Sequence, residues 1–142
     1  MKTGCCAMAD ALQLAVGRWL TKAANDLRTA EVMAAQVPPV TDVTCYHAYQ
    51  CVEKALKALL TQENRHVERT HNLRRLVALC AKTRPEVSHL EAIATELTDY
   101  ASQSRYPDDW REIPLEEALA AAQKARVALE WVPTRLREGA RA

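Results

Sequence analysis

Arg65, His66, Arg69, His71, Arg74 and Arg75 place four guanidinium groups and two imidazoles within 11 residues. Arginine offers a planar donor fork that grips phosphate oxygens in pairs, and histidine titrates near neutrality. Together these are the properties needed to hold or cleave RNA. The cluster also stands at the expected start of a helix, where free amides favour anions. The competing interpretation is a solvated basic edge, with His71 lying beside the helix cap. A second set, His47, Gln50 and Lys54, falls at i, i+3 and i+7, with Glu53 and Lys57 beside it, so helical spacing makes it one surface. An ordinary solvated face has the same pattern, with Glu53 and Lys57 as an exposed ion pair in the favourable order.

A third set lies in the one irregular stretch of an otherwise helical pattern, Ser102 to Pro114. Here Tyr106 and Trp110 offer rings on which a base can stack, Arg105 a partner for phosphate, and Asp108 a further contact. The alternative is that the two rings cap the end of the fold. There is no Gly-rich phosphate loop, no Gly-x-Ser-x-Gly elbow, no His-Glu-x-x-His and no carboxylate run with metal spacing, which argues against P-loop hydrolysis and zinc proteolysis. The five cysteines are odd in number and form no Cys-x-x-Cys pair, so they read as free thiols in a reducing compartment rather than zinc ligands. No metal or cofactor is expected. The net charge of +1 gives no broad field, so a nucleic-acid partner must be met by a local basic cluster.

The elements that must position these residues follow from apolar periodicity. Leu12, Val16, Trp19, Ala23, Leu27 and Ala30 recur every three or four residues and predict a helix from Met8 to Gln36, ended by Val37-Pro38-Pro39. Asp42 reads as the N-cap of a second helix reaching Glu63, with Cys45, Tyr49, Val52 and Leu56 inward. Thr70 caps a third, which buries Leu73, Leu76, Val77 and Cys80. Pro85 opens a fourth with Leu90, Ile93, Leu97 and Ala101 on one side. Pro114 opens a fifth with Leu115, Leu119, Ala122, Ala125 or Arg126, Leu129 and Val132 inward.

Short connections between long helices predict an all-α, up-and-down bundle of four main helices, the third being a short insert. The domain is expected over residues 8–133, with 1–7 a disordered leader and 134–142 a frayed tail. A chain this long removes roughly 70% of its unfolded surface from water on folding, which supports a core without metals or disulfides. No stretch approaches the ~20 apolar residues of a membrane span, so a cytoplasmic protein is expected. The alanine-rich run Ala118-Leu119-Ala120-Ala121-Ala122 permits close approach of another element, a second subunit included.

Four segments in order carry a resemblance: Ala24-Asn25-Asp26-Leu27-Arg28-Thr29-Ala30, then the helix from His47 to Leu60, then Arg69-Thr70-His71-Asn72-Leu73, then Ser104-Arg105-Tyr106-Pro107-Asp108. Across about residues 20 to 132 the chain resembles the HEPN domain family, named for nucleotide binding in higher eukaryotes and prokaryotes. The resemblance implies a helical bundle that forms homodimers, binds nucleotide or RNA, and works beside a minimal nucleotidyltransferase in toxin–antitoxin-like systems. Many members are metal-independent ribonucleases in which an Arg and a His four to six residues apart act on the ribose 2′-hydroxyl. Here Arg105 stands where that arginine is sought, but residues 109 to 112 are Asp, Trp, Arg and Glu, with no histidine. The one literal match to the spacing is Arg65 with His71. Arg105 and His71 are the candidate catalytic pair; Arg65, Arg69, His47, Gln50, Lys54, Tyr106 and Asp108 are candidate contacts. Three functions stay open: a nucleotide- or RNA-binding protein, an active ribonuclease toxin, or a helical adaptor that binds no nucleic acid.

Overall fold

The structure is a computed structural model that describes residues 3–101 and 111–141. Arg105, Tyr106 and Asp108 lie outside the described residues. Among those residues every regular element is helical: α1 (Thr3–Ala34), α2 (Thr41–Gln62), α3 (Leu73–Ala81), α4 (Glu91–Leu97) and α5 (Leu115–Arg141). Two 3-10 segments, Pro85–Leu90 and Thr98–Ala101, flank α4 and join it into one composite helical run, the expected fourth helix.

α2 is the centre of the bundle. Its apolar residues point to α1, α5, α3 and α4 alike, and Tyr49, Val52, Leu56, Leu59 and Leu60 are almost wholly buried. α1 runs antiparallel to it. The register is marked by Gln13 donating to Gln62 at 3.1 Å, the Lys57 ammonium lying 5.7 Å from the Trp19 ring centre, and the Thr44 hydroxyl donating to the Ala30 carbonyl at 2.8 Å. α5 runs antiparallel to α1, with Arg126 paired to Glu31 toward one end and Leu136 beside Val16 toward the other.

Several boundaries differ from expectation for local reasons. α1 begins at Thr3, inside the stretch 1–7 expected as leader, because Cys5, Cys6, Ala7 and Met8 extend the helical run. α2 begins at Thr41 with Val40 at the cap and no side-chain cap bond, so Asp42 falls inside the first turn, where a carboxylate still suits the helix dipole. It ends in a Schellman turn: Asn64, at φ 54°, takes the left-handed conformation that asparagine tolerates, Arg65 N–H donates to Leu60 O at 3.0 Å, and Asn64 N–H to Thr61 O at 2.9 Å. α3 is capped by Asn72, whose side chain accepts the Arg75 N–H at 3.2 Å; Thr70 instead accepts the Asn72 N–H at 3.1 Å.

α5 departs most. Leu115 and Leu119, expected inward, are 41% and 50% exposed, while Ala118, Ala121, Ala122, Ala125 and Ala128 face the core. The stripe of small side chains lets α5 approach α2 until the Cys51 thiol reaches the Ala125 carbonyl at 3.9 Å, so close approach is used within the chain. α5 also continues through Pro133 to Arg141, beyond the expected end at 133. Pro133 cannot donate to the carbonyl four residues back. Packing holds the helix past it: Leu136 is buried, the Arg135 guanidinium lies 5.3 Å from the Trp131 ring centre, and Arg84 donates to the Arg135 carbonyl at 3.2 Å.

Candidate nucleic-acid interface

The polar stripe of α2 does not face water as a whole; it meets α1 over two nearly buried carboxylates. Asp26 of α1, 7% exposed, accepts the His47 Nδ1–H at 2.7 Å and the Lys54 ammonium at 2.5 Å. Antiparallel packing makes this possible, because His47 and Lys54 lie two helical turns apart on α2 and bracket the one residue of α1 between them. Gln50, also on this stripe, donates to the Tyr46 hydroxyl at 2.9 Å.

Glu53 is 4% exposed and Lys57 8%, so the pair expected to be solvated is interior. The Glu53 carboxylate accepts the Tyr49 hydroxyl at 2.9 Å and the His71 Nδ1–H at 2.8 Å, with the Lys57 ammonium at 3.6 Å. Burial, and then the Glu53 charge, push the Tyr49 hydroxyl far above the usual phenol range, so it remains a donor at neutral pH. His71 stands at the mouth of this cluster. Its side chain is 69% exposed although its partner carboxylate is covered.

Around His71 the basic residues divide. Arg75 makes a two-armed contact with Glu68, at 2.9 and 3.3 Å, which holds the Glu68 carboxyl below its ordinary value. Arg65 donates to Glu63 and to Thr83, both at 3.3 Å, and Arg84 joins the same Glu63 carboxylate at 3.0 Å. Arg65 and His71 therefore answer to carboxylates ten positions apart, Glu63 at the C-terminal cap of α2 and Glu53 within it, about 15 Å along its axis, and the Arg65 guanidinium lies by the far end of α3 from His71. Their matching spacing does not make them a pair. Arg69 and Arg74 are exposed and have no ion-pair partner among the described residues.

The stretch 102–110 is flanked by a clasp. Glu117 of α5 accepts the Tyr100 hydroxyl at 2.6 Å and both arms of Arg111 at 3.0 and 2.6 Å. The Arg111 and Tyr100 contacts hold the Glu117 carboxyl below its usual range. Beside Tyr100, burial pushes the Cys45 thiol up to about 11.

Chemically the region offers exposed guanidinium donors, Arg69 and Arg74, on the same short stretch of chain as an imidazole held at Nδ1 by Glu53. Among the described residues, no group of three or more His, Cys, Asp or Glu side chains is placed to hold a metal ion. Nor is any described helix long and apolar enough to cross a membrane. Sequence reasoning singled out His47, Gln50, Lys54 and His71, but not the two carboxylates as site residues. Asp26 lay within the first resembling segment, and Glu53 was taken for a surface partner of Lys57.

The sequence matches the HEPN domain over residues 16–137, most of its length. The chain belongs to the HEPN family. Among solved structures it is similar to ST0689, an archaeal HEPN homologue, with 27% identity and a TM-score of 0.68 over 85% of this chain and 97% of that one. It is also similar to TT1696 from Thermus thermophilus, with 27% identity and a TM-score of 0.69 over 84% of this chain and 96% of that one. No curated protein matches the chain.

Proposed function

We propose that this HEPN protein binds nucleotide or RNA, with phosphate groups met at Arg69 and Arg74 on either side of His71. The observation that carries the reading is the division of the basic residues. His47, Lys54, Lys57, Arg65 and Arg75 each have a carboxylate partner, whereas Arg69 and Arg74, two residues before and three after His71 in the chain, are exposed without one among the described residues. A guanidinium without a carboxylate partner is the better phosphate ligand, since no ion pair must be broken. Arg105, Tyr106 and Asp108 remain proposed contacts from the same ligand. We further propose a homodimer that works with a nucleotidyltransferase in a toxin–antitoxin-like system, as the family resemblance implies; light scattering and copurification with the product of a neighbouring gene test those two points. Binding is tested by fluorescence anisotropy with a labelled ten-nucleotide RNA and a labelled ATP analogue. Arg69→Ala with Arg74→Ala should weaken both about tenfold or more, and rising salt should do the same, because phosphate contacts release counterions. Unchanged binding, or none in the wild type, contradicts the proposal.

A second reading, a metal-independent ribonuclease, draws on one feature: His71 is held through Nδ1, the arrangement that leaves Nε2 able to take a proton. Incubation with total RNA in chelator should then give cyclic-phosphate ends that His71→Ala abolishes. Intact RNA at high protein concentration excludes it.

A further inference from the structure

We infer that α1 carries a stacking subsite for one unpaired base of a single-stranded nucleic acid, with the Trp19 indole as platform and Arg18 and Lys22 as ligands to the adjoining phosphates. The subsite rests on the reading that this protein binds nucleotide or RNA, and extends it from the edge before α3 to the outer face of α1. Ala15, Arg18, Trp19 and Lys22 line one open hollow. Arg18 and Lys22 lie about one helical turn apart, and both are exposed. Two acids of α1 are engaged by other helices: Asp26 by His47 and Lys54 of α2, and Glu31 by Arg126 of α5. Neither Arg18 nor Lys22 has an ion-pair partner among the described residues. They meet the same condition as Arg69 and Arg74, donors with no carboxylate to give up.

Trp19 is only half-buried, although it belongs to the apolar stripe of α1. The Lys57 ammonium lies 5.7 Å from its ring centre, and Lys57 does not line the hollow, so the two meet different parts of the indole. Covering Lys57 explains the buried part of the ring. The part in the hollow, walled by two unpaired cations, suits a nucleotide: every base has a face that stacks on an aromatic ring, and its phosphate supplies the missing negative charge. Gln13, Leu14, Gly17 and Thr21 line a second hollow with the same two cations. A Cβ at Gly17 would meet nothing within 4 Å, so packing does not require a residue that weakens a helix relative to alanine. The bare backbone there lets a strand run close to α1. Contacts of 5.7, 3.6 and 2.8 Å in series, from Trp19 to Lys57 to Glu53 to His71, keep the indole centre within about 12 Å of His71 Nδ1. One short strand can therefore reach both α1 and the stretch that holds Arg69 and Arg74. Stacking needs a base released from its own neighbours, so the subsite selects single strands over duplexes and treats RNA and DNA alike.

The test measures anisotropy of a labelled ten-nucleotide RNA, the DNA of the same sequence and its duplex, with tryptophan fluorescence read alongside. Trp19→Leu should weaken both single strands about tenfold, the scale of one stacked base, and leave the salt slope and the duplex affinity unchanged. Trp19→Phe, which keeps a ring, should stay within about threefold of the wild type while removing part of the tryptophan quenching that binding produces. Arg18→Gln with Lys22→Gln, at exposed positions, should make the slope shallower by about 1.4 and keep the quenching. Quenching undiminished in Trp19→Phe, an equal loss for duplex and single strands in Trp19→Leu, or an unchanged slope in the charge variant overturns the subsite while leaving binding at Arg69 and Arg74 intact. Failure of the wild type to bind any strand overturns the binding proposal and this inference with it.

Discussion

The face between α1 and α2 and the edge at the start of α3 are built from the same residue types, histidines and basic side chains at helical spacing, yet they end in opposite states. Between α1 and α2 the charges satisfy one another: Asp26 with His47 and Lys54, Glu53 with Lys57. At the α3 edge Arg69 and Arg74 are exposed, and His71, itself largely exposed, ties the edge to the interior through its contact with Glu53. The difference is one of carboxylates. A basic group lying over a covered Asp or Glu becomes part of the architecture, because separating the pair would strand a desolvated charge. A basic group without one keeps its donors for a ligand.

The largest effect should come from breaking the interior region. Asp26→Ala leaves Lys54 and His47 half-buried without their acceptor and should cost about 3 kcal/mol, read as a lower denaturant midpoint at unchanged slope. RNA affinity of the fraction still folded should be unaltered. Nearly as large, Ala125→Leu overfills the stripe where α5 meets α2 and should cost about 2 kcal/mol, while Leu119→Ala on the opposite, exposed side should change stability by less than about 0.5 kcal/mol. Reversed rankings would mean that α5 packs through its leucines.

Smaller effects sharpen the edge. Arg69→Ala with Arg74→Ala should leave the thermal midpoint within the shift expected for about 0.5 kcal/mol, in contrast to its effect on binding. Glu117 supplies a pH signature. Its folded-state carboxyl titrates below the usual range, so its contribution is complete above that range and is lost as pH falls through the depressed value. Glu117→Gln should therefore flatten the acid limb of a stability profile taken from pH 6 to pH 3. Least visible in ordinary assays, Cys51 and Cys80 are pushed to about 12 and Cys45 to about 11, chiefly by burial. In a Cys5→Ser, Cys6→Ser background none should react with a thiol reagent at pH 7 until the chain unfolds.

The helical bundle was legible in the sequence because apolar period and proline punctuation are local signals: Val37-Pro38-Pro39, Pro85 and Pro114 each fall between helices or at the start of a helical segment. The inward face of α5 was not legible. Leu115 and Leu119 have the stronger apolar signal, but the stripe of alanines fits closer to α2, and closeness depends on a neighbour that periodicity does not name. His47, Gln50 and Lys54 could be placed on one surface from spacing. Whether that surface faced water depended on Asp26, 21 residues before His47 and brought to it only by antiparallel packing. For the same reason Arg65 and His71 matched a spacing without converging, since a Schellman turn and the Glu63 carboxylate hold Arg65 elsewhere.

The most direct test of the division between interior and edge is the salt dependence of binding to a short single-stranded RNA, for the wild type and for Arg69→Ala with Arg74→Ala. Each phosphate contact adds about 0.7 to the slope of log affinity against log salt, so the double variant should bind more weakly with a slope shallower by about 1.4. An unchanged slope and affinity would contradict the account, and would do so most sharply if Lys54→Ala, in the interior region, reduced the slope instead.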